Sequence, residues 1–91
     1  MKDNNELLTS EQLANNEKLK LFFETESIVH ITLNKRTLVG QHYYYNGIIT
    51  QFFSDTLFEL KDRLTNELYI FSIFQLRDDG ISEYQKEESK I

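Results

Sequence analysis

"YYYNGIITQFFSDTLFELKDR", residues 43–63, sets three tyrosines and three phenylalanines around one Asn-Gly pair and ends in a run of charge. Two registers follow from it. If Asn46-Gly47 is a type I′ hairpin turn, strands run over about 37–45 and 48–53 and a meander begins early. If Gly47 is instead a bend, one long strand from Tyr43 to Phe53 curves sharply where no side chain is in the way.

The flanks have clearer periods. "TLFELKD" puts Phe58 and Leu60 inward with Glu59 and Lys61 outward, and "LYIFSIF" is apolar on both faces. Between them "RLTNE" has the polar residues of a turn, with Asn66 suited to a left-handed conformation, and Ser54-Asp55 makes a tight connection. "GISEY" supplies a last short strand. Upstream, Val29, Ile31 and Leu33 alternate with Ile28, His30 and Thr32, which marks the first strand. Before it, "NEKLKLFFE" places Leu19, Phe22 and Phe23 on one helical stripe. Thr9 and Gln12 have capping-box spacing, and Leu8 and Leu13 that of a hydrophobic staple. The expected fold is mainly β: an N-terminal helix, then five antiparallel strands in a strongly bent small barrel. Residues 1–15 form a polar segment able to start a short helix, 16–84 the domain, and 85–91 a polar tail that frays.

Ninety-one residues make one domain with a thin core, which twelve aromatics and a run of Leu and Ile supply. Without Cys, and with only His30 and His42, no zinc site or other cofactor is expected. The lack of Cys fits a reducing compartment, and no window has the apolar length of a signal peptide or membrane span; the expectation is a cytoplasmic protein without membrane contact. A net charge of −5 disfavours long-range capture of nucleic acid, though a local basic patch outweighs the mean.

The stretch Gly47 to Asp62, "GIITQFFSDTLFELKD", resembles the first signature of Sm-like proteins: Gly, any residue, an apolar residue, then a strand ending Leu-any-acidic. "NEKLKLFFETESIVHITL" resembles that family's amino-terminal helix and first strand, and "ELYIFSIFQL" sits at its fourth strand. The resemblance covers about residues 16–84, implies the barrel, and favours the bend at Gly47. It also implies ring closure through the strand around "LYIFSIF". The departures bear on function. Phe53 and Leu57 stand where Sm-like proteins carry the Asp and Asn that contact a base, with Asp55 nearby as a shifted substitute. The family's Arg-Gly after the fourth strand is replaced by residues in the neighbourhood of Ser72 to Gln75, with Arg77 a little later. About six extra residues lie within "NKRTLVGQHYYY".

That insertion joins Lys35, Arg36 and His42 to Tyr43 and Tyr44 with no acid among them. Cations for phosphates and ring faces for bases are what single-stranded RNA requires. The same tyrosines also suit a long hairpin that alternates between core and a half-exposed face. His30 reads as a strand residue, Asp55 and Glu59 as turn and surface carboxylates, and Asp78-Asp79 before Gly80 as a loop. Ser72 has no nucleophile-elbow context, and three scattered glycines make no phosphate loop. No enzyme is expected. The leading reading is an Sm-like homo-oligomer, with the ring that the resemblance implies, weak RNA association through the insertion and no expected DNA partner. The alternative is a protein-interaction or scaffold module on the same barrel. For self-association the candidate residues are Tyr69, Phe71 and Ile73, because one small barrel covers only one face of that strand.

Overall fold

A computed structural model describes residues 8–85 of the chain. Residues 1–7 of the polar first segment and nearly all of the 85–91 tail lie outside them. The capping box forms: Gln12 N–H donates to Thr9 Oγ1 and Thr9 N–H to Gln12 Oε1, each at 3.0 Å. The two stretches read separately in the sequence are therefore one helix, α1, Ser10–Glu24. It ends where Glu26 turns left-handed, at φ 57°. Its buried residues are Asn15, Asn16 and Leu19, so the buried face begins a turn earlier than the expected stripe, on two amides, while Phe22 is half-buried and Phe23 is exposed. Asn15 Nδ2 donates to the Arg77 carbonyl at 3.0 Å, and Lys18 Nζ pairs with Asp79 Oδ1 at 2.9 Å. Both ties fix the helix to the last strand.

Five strands follow: β1 Ile28–Arg36, β2 His42–Phe52, β3 Leu57–Asp62, β4 Leu68–Ser72 and β5 Leu76–Glu83. They pair antiparallel in the order β4-β3-β2-β1-β5. The outer strands β4 and β5 do not pair with each other, so the sheet is not closed into a barrel. β2 runs unbroken through Asn46-Gly47, and neither residue has positive φ. The I′ hairpin turn is absent and the single long strand is present. Gly47 lies between Val29 and Asp62, where a Cβ would fall on the Lys61 carbonyl and crowd Leu60 Cγ. The strand passes there only because the position has no side chain.

The inward row Phe52–Phe58–Phe71 crosses β2, β3 and β4, and Phe58 is fully buried with Leu19, Val29 and Ile31. Of the adjacent pair, Phe52 packs on this core and Phe53 is exposed. The apolar run "LYIFSIF" is not one strand to its end. Ser72 N–H donates to Gln75 Oε1 at 2.8 Å and Phe74 N–H to Ser72 Oγ at 3.1 Å, a second capping box that opens a 3₁₀ turn, Ile73–Gln75. β5 then begins at Leu76, earlier than "GISEY". Asp78 and Asp79, read as loop, lie within it at a register shift against β1, with Asp79 left-handed.

Candidate functional site at the end of the β1–β2 hairpin

Most of the expected insertion loop is strand. Arg36 pairs with His42, Thr37 N–H donates to the Gln41 carbonyl at 2.7 Å, and only residues 37–41 connect the strands. Gly40 takes φ 88°, which lets the tip close. Between the pairs Thr32–Tyr44 and Arg36–His42 the register shifts, so Leu33, Asn34 and Lys35 all lie across from Tyr43. This bulge carries the Lys35 ammonium over the Tyr43 ring, 5.7 Å from its centroid. His42 Nδ1–H donates to the Leu33 carbonyl at 2.7 Å and Arg36 Nη1 to the Gly40 carbonyl at 3.4 Å. Both side chains brace the hairpin.

Strand alternation divides the five candidates between two faces. Tyr43 lies on the side of Tyr45, whose ring packs on Tyr69 and Phe71 at 4.9 and 5.0 Å. Tyr44 faces the other way, 5.3 Å from the His30 ring. Lys35 and Tyr43 line a hollow of about 300 Å³ together with Leu33, Tyr45, Phe71 and Gln75. No acid lines it, and the chain has no Asp or Glu between Glu26 and Asp55. Chemically the hollow offers a cation for a phosphate, a ring face for a base and an amide for a base edge. Gln75 is placed by its own cap: Oε1 is held by the Ser72 N–H, which leaves the amide NH₂ as donor. Sequence reasoning passed over Gln75. The signal was there, since S-x-x-Q at 72–75 repeats the T-x-x-Q spacing of 9–12.

The remaining candidates are held in structural hydrogen bonds. His30 Nδ1 lies 2.6 Å from Asn46 Oδ1, and Nε2 3.4 Å from Thr32 Oγ1. The Thr50 hydroxyl, at 2.6 Å, and then the Gln51 amide hold the Glu59 carboxyl below its ordinary range. Asp79 is likewise held low by Lys18. Asp55 is exposed in the connection 53–56, and Ser72 caps the 3₁₀ turn. Among the described residues no group of three or more His, Cys, Asp or Glu could hold a metal. Phe53 and Leu57, where the resemblance would place base contacts, are exposed apolar residues flanking the β2–β3 connection.

On the edge strand Phe71 is buried at 6% exposure and Tyr69 is half-buried, and Ile73, which opens the 3₁₀ turn, is buried at 1%. These candidates for self-association belong to the core of a single chain. The outward set is Leu68 and Ile70, 58% and 59% exposed, with Phe74 just beyond the strand end. No helix among the described residues is long and apolar enough to cross a membrane. Neither a protein-family model, nor a curated protein, nor a solved structure matches the chain.

Proposed function

We propose that this chain is an Sm-like, self-associating small β protein that holds single-stranded RNA weakly at the end of its β1–β2 hairpin. The observation that carries the RNA reading is the Lys35 ammonium poised over the Tyr43 ring beside a hollow lined by no acid. One base stacks on Tyr43, the Gln75 amide meets its edge, and Lys35 with Arg36 neutralises the neighbouring phosphates. Stacking contributes about 1–3 kcal/mol per base, and two cations give a modest, salt-sensitive increment. The order helix, β1, long β2 through Gly47, then β3 ending at Asp62 agrees with the Sm-like resemblance, and the barrel description belongs to this reading. Fluorescence polarisation with oligo-U at low and moderate salt tests it. Lys35→Glu with Arg36→Glu abolishes binding and leaves the circular dichroism spectrum unchanged. Undiminished binding by that variant removes the hairpin as the site.

A second reading rests on the edge strand. Among the described residues β4 has an unpaired backbone edge with Leu68 and Ile70 outward, and no Pro interrupts it. In this reading the chain is a protein-interaction module, and a neighbour's strand added at β4 pairs the backbone and covers both side chains. Light scattering on a sizing column then gives a discrete oligomer. A well-folded monomer at high micromolar concentration, together with absent oligo-U binding, defeats both readings.

A further inference from the structure

The outer strands of the sheet are β4 and β5, and their free edges are not alike. Along β4 the ladder fixes which way each backbone group points. Asp62 N–H donates to the Glu67 carbonyl at 2.8 Å and Ile73 N–H to the Thr56 carbonyl at 2.9 Å. Counting by two from these bonded pairs, Tyr69 and Phe71 turn their backbones toward β3, and Leu68, Ile70 and Ser72 turn theirs to the free edge. The Ser72 N–H is already held by the Gln75 side chain. Among the described residues, the edge-facing N–H and C=O groups of Leu68 and Ile70 have no partner strand, and "LYIFS" carries no charge to discourage one.

The edge of β5 is covered by the helix. Tyr84 N–H donates to the Ile28 carbonyl at 2.8 Å, so the same count turns the Ile81 backbone to the outer side, yet Ile81 is buried. α1 lies over it: Lys18 Nζ donates to the Ile81 carbonyl at 3.4 Å, and Asn15 Nδ2 to the Arg77 carbonyl at 3.0 Å. Between these two ties the register against β1 shifts and Asp79 is left-handed. A bulged, charged strand under a helix is a poor template for another strand. Head-to-tail rings use two different edges of every copy, and only β4 is open along its length.

We infer that two copies of this chain pair antiparallel through β4 about a two-fold axis at Tyr69, joining two five-stranded sheets into one. The inference rests on the second reading above, that a neighbour's strand adds at β4, and it names the neighbour. With Leu68 opposite the partner's Ile70, and Ile70 opposite the partner's Leu68, all the edge-facing N–H groups of these residues find carbonyls. The register centred on Ile70 instead requires the Ser72 N–H that Gln75 holds. Charge selects the same alignment. Glu59 stands across from Ile70, and Lys61 across from Leu68, in the β3–β4 ladder. An axis at Tyr69 therefore runs each row from Glu59 through Ile70 and the partner's Leu68 to the partner's Lys61, with opposite charges at its ends. An axis at Ile70 sets Glu59 and the partner's Glu59 in one row. In the favoured register the exposed side chains of Leu68 and Ile70 also cover one another across the axis. A contact of one five-residue strand is at the small end of specific interfaces, which makes the dimer concentration-dependent.

Analytical ultracentrifugation of the full chain, from low to high micromolar, should show a monomer–dimer equilibrium and no larger species. Leu68→Lys and Ile70→Glu, each alone, should weaken the dimer about tenfold or more with unchanged circular dichroism. Mixed in equal amounts, these two variants should form a heterodimer about as tight as the parent, because position 68 of one meets position 70 of the other and the new charges pair. The chain has no Cys, so crosslinking reads the axis directly. Residues facing each other across it are about 4.5 Å apart at Cα, within disulfide reach. Tyr69→Cys should therefore crosslink to itself under mild oxidation and Ile70→Cys should not; if Tyr69→Cys fails to fold, the mixing experiment decides. A larger oligomer, or a dimer that mixing does not restore, overturns the inference, and strand addition at β4 stands if the single charges still dissociate the assembly. A well-folded monomer throughout, or a dimer that neither charge weakens, overturns both.

Discussion

Phe58 is fully buried between Phe52 and Phe71, whose ring centroids are 6.3 and 5.9 Å away. Truncation to Ala should cost about 3–5 kcal/mol, a large part of the stability of so small a domain. An unchanged denaturant midpoint would contradict its place in the core. Gly47 is the backbone counterpart. Because the obstacle there is the Lys61 carbonyl and not a flexible side chain, Gly47→Ala should cost at least about 2 kcal/mol, read from the same denaturation curves. Tyr69 makes a separate prediction about charge. Its hydroxyl donates to Glu67 Oε1 at 2.7 Å, and this bond to an anion pushes its pKa up to about 12. A phenol raised in the folded state contributes stability that is complete below its unfolded value, about 10, and lost as pH rises through the folded one. Ultraviolet titration should find the Tyr69 phenol ionising late, and Glu67→Gln, which removes the anion, should bring its ionisation to lower pH.

Elements differ in what holds them. α1 is set at its start by the Thr9–Gln12 box, and Thr9→Ala should cost about 1 kcal/mol. β4 is set by side-chain direction. Ile70 and Phe71 are neighbours in sequence, yet a charge at each should act on different levels. Phe71→Lys places an ammonium in the core and should unfold the chain. Ile70→Lys lies outward on the edge and should leave the fold intact while shifting any oligomer toward monomer in light scattering. Loss of folding in both variants would place Ile70 inside as well.

For the whole molecule, the acid limb of the stability profile follows from carboxylates tied into turns and cross-element contacts. Hydrogen bonds from Thr50 to Glu59, from the Thr65 and Leu64 amides to Asp62, and from Lys18 to Asp79 hold all three below the ordinary carboxylate range. Groups depressed in the folded state contribute stability that is present above their unfolded values, about 4, and lost as pH falls through the folded ones. Thermal midpoints should therefore be flat from neutral pH to about 5 and fall below about 4. Lys18→Met, which frees Asp79, should reduce the steepness of that fall.

Local physics made much of this legible from the chain alone. Period two marked β1 and β3, capping chemistry marked the start of α1, and a Gly in an otherwise bulky strand marked where β2 passes close to its neighbour, because each depends on residues a few positions apart. The basic and aromatic composition of the hairpin end was equally open to reading. Other features required contacts between distant parts of the chain. Asn15 and Asn16 are buried, and the Asn15 amide meets the Arg77 carbonyl of β5, 62 residues away in the chain. "LYIFSIF" has two apolar faces, and the sheet order decided which of them is core and left Leu68 and Ile70 outside. A bulge in β1 decided that Lys35 meets Tyr43 while Tyr44 turns to the opposite face. Alternation tells which residues share a side of a strand, but register and partner strands determine what stands across from them, and those are properties of the folded chain.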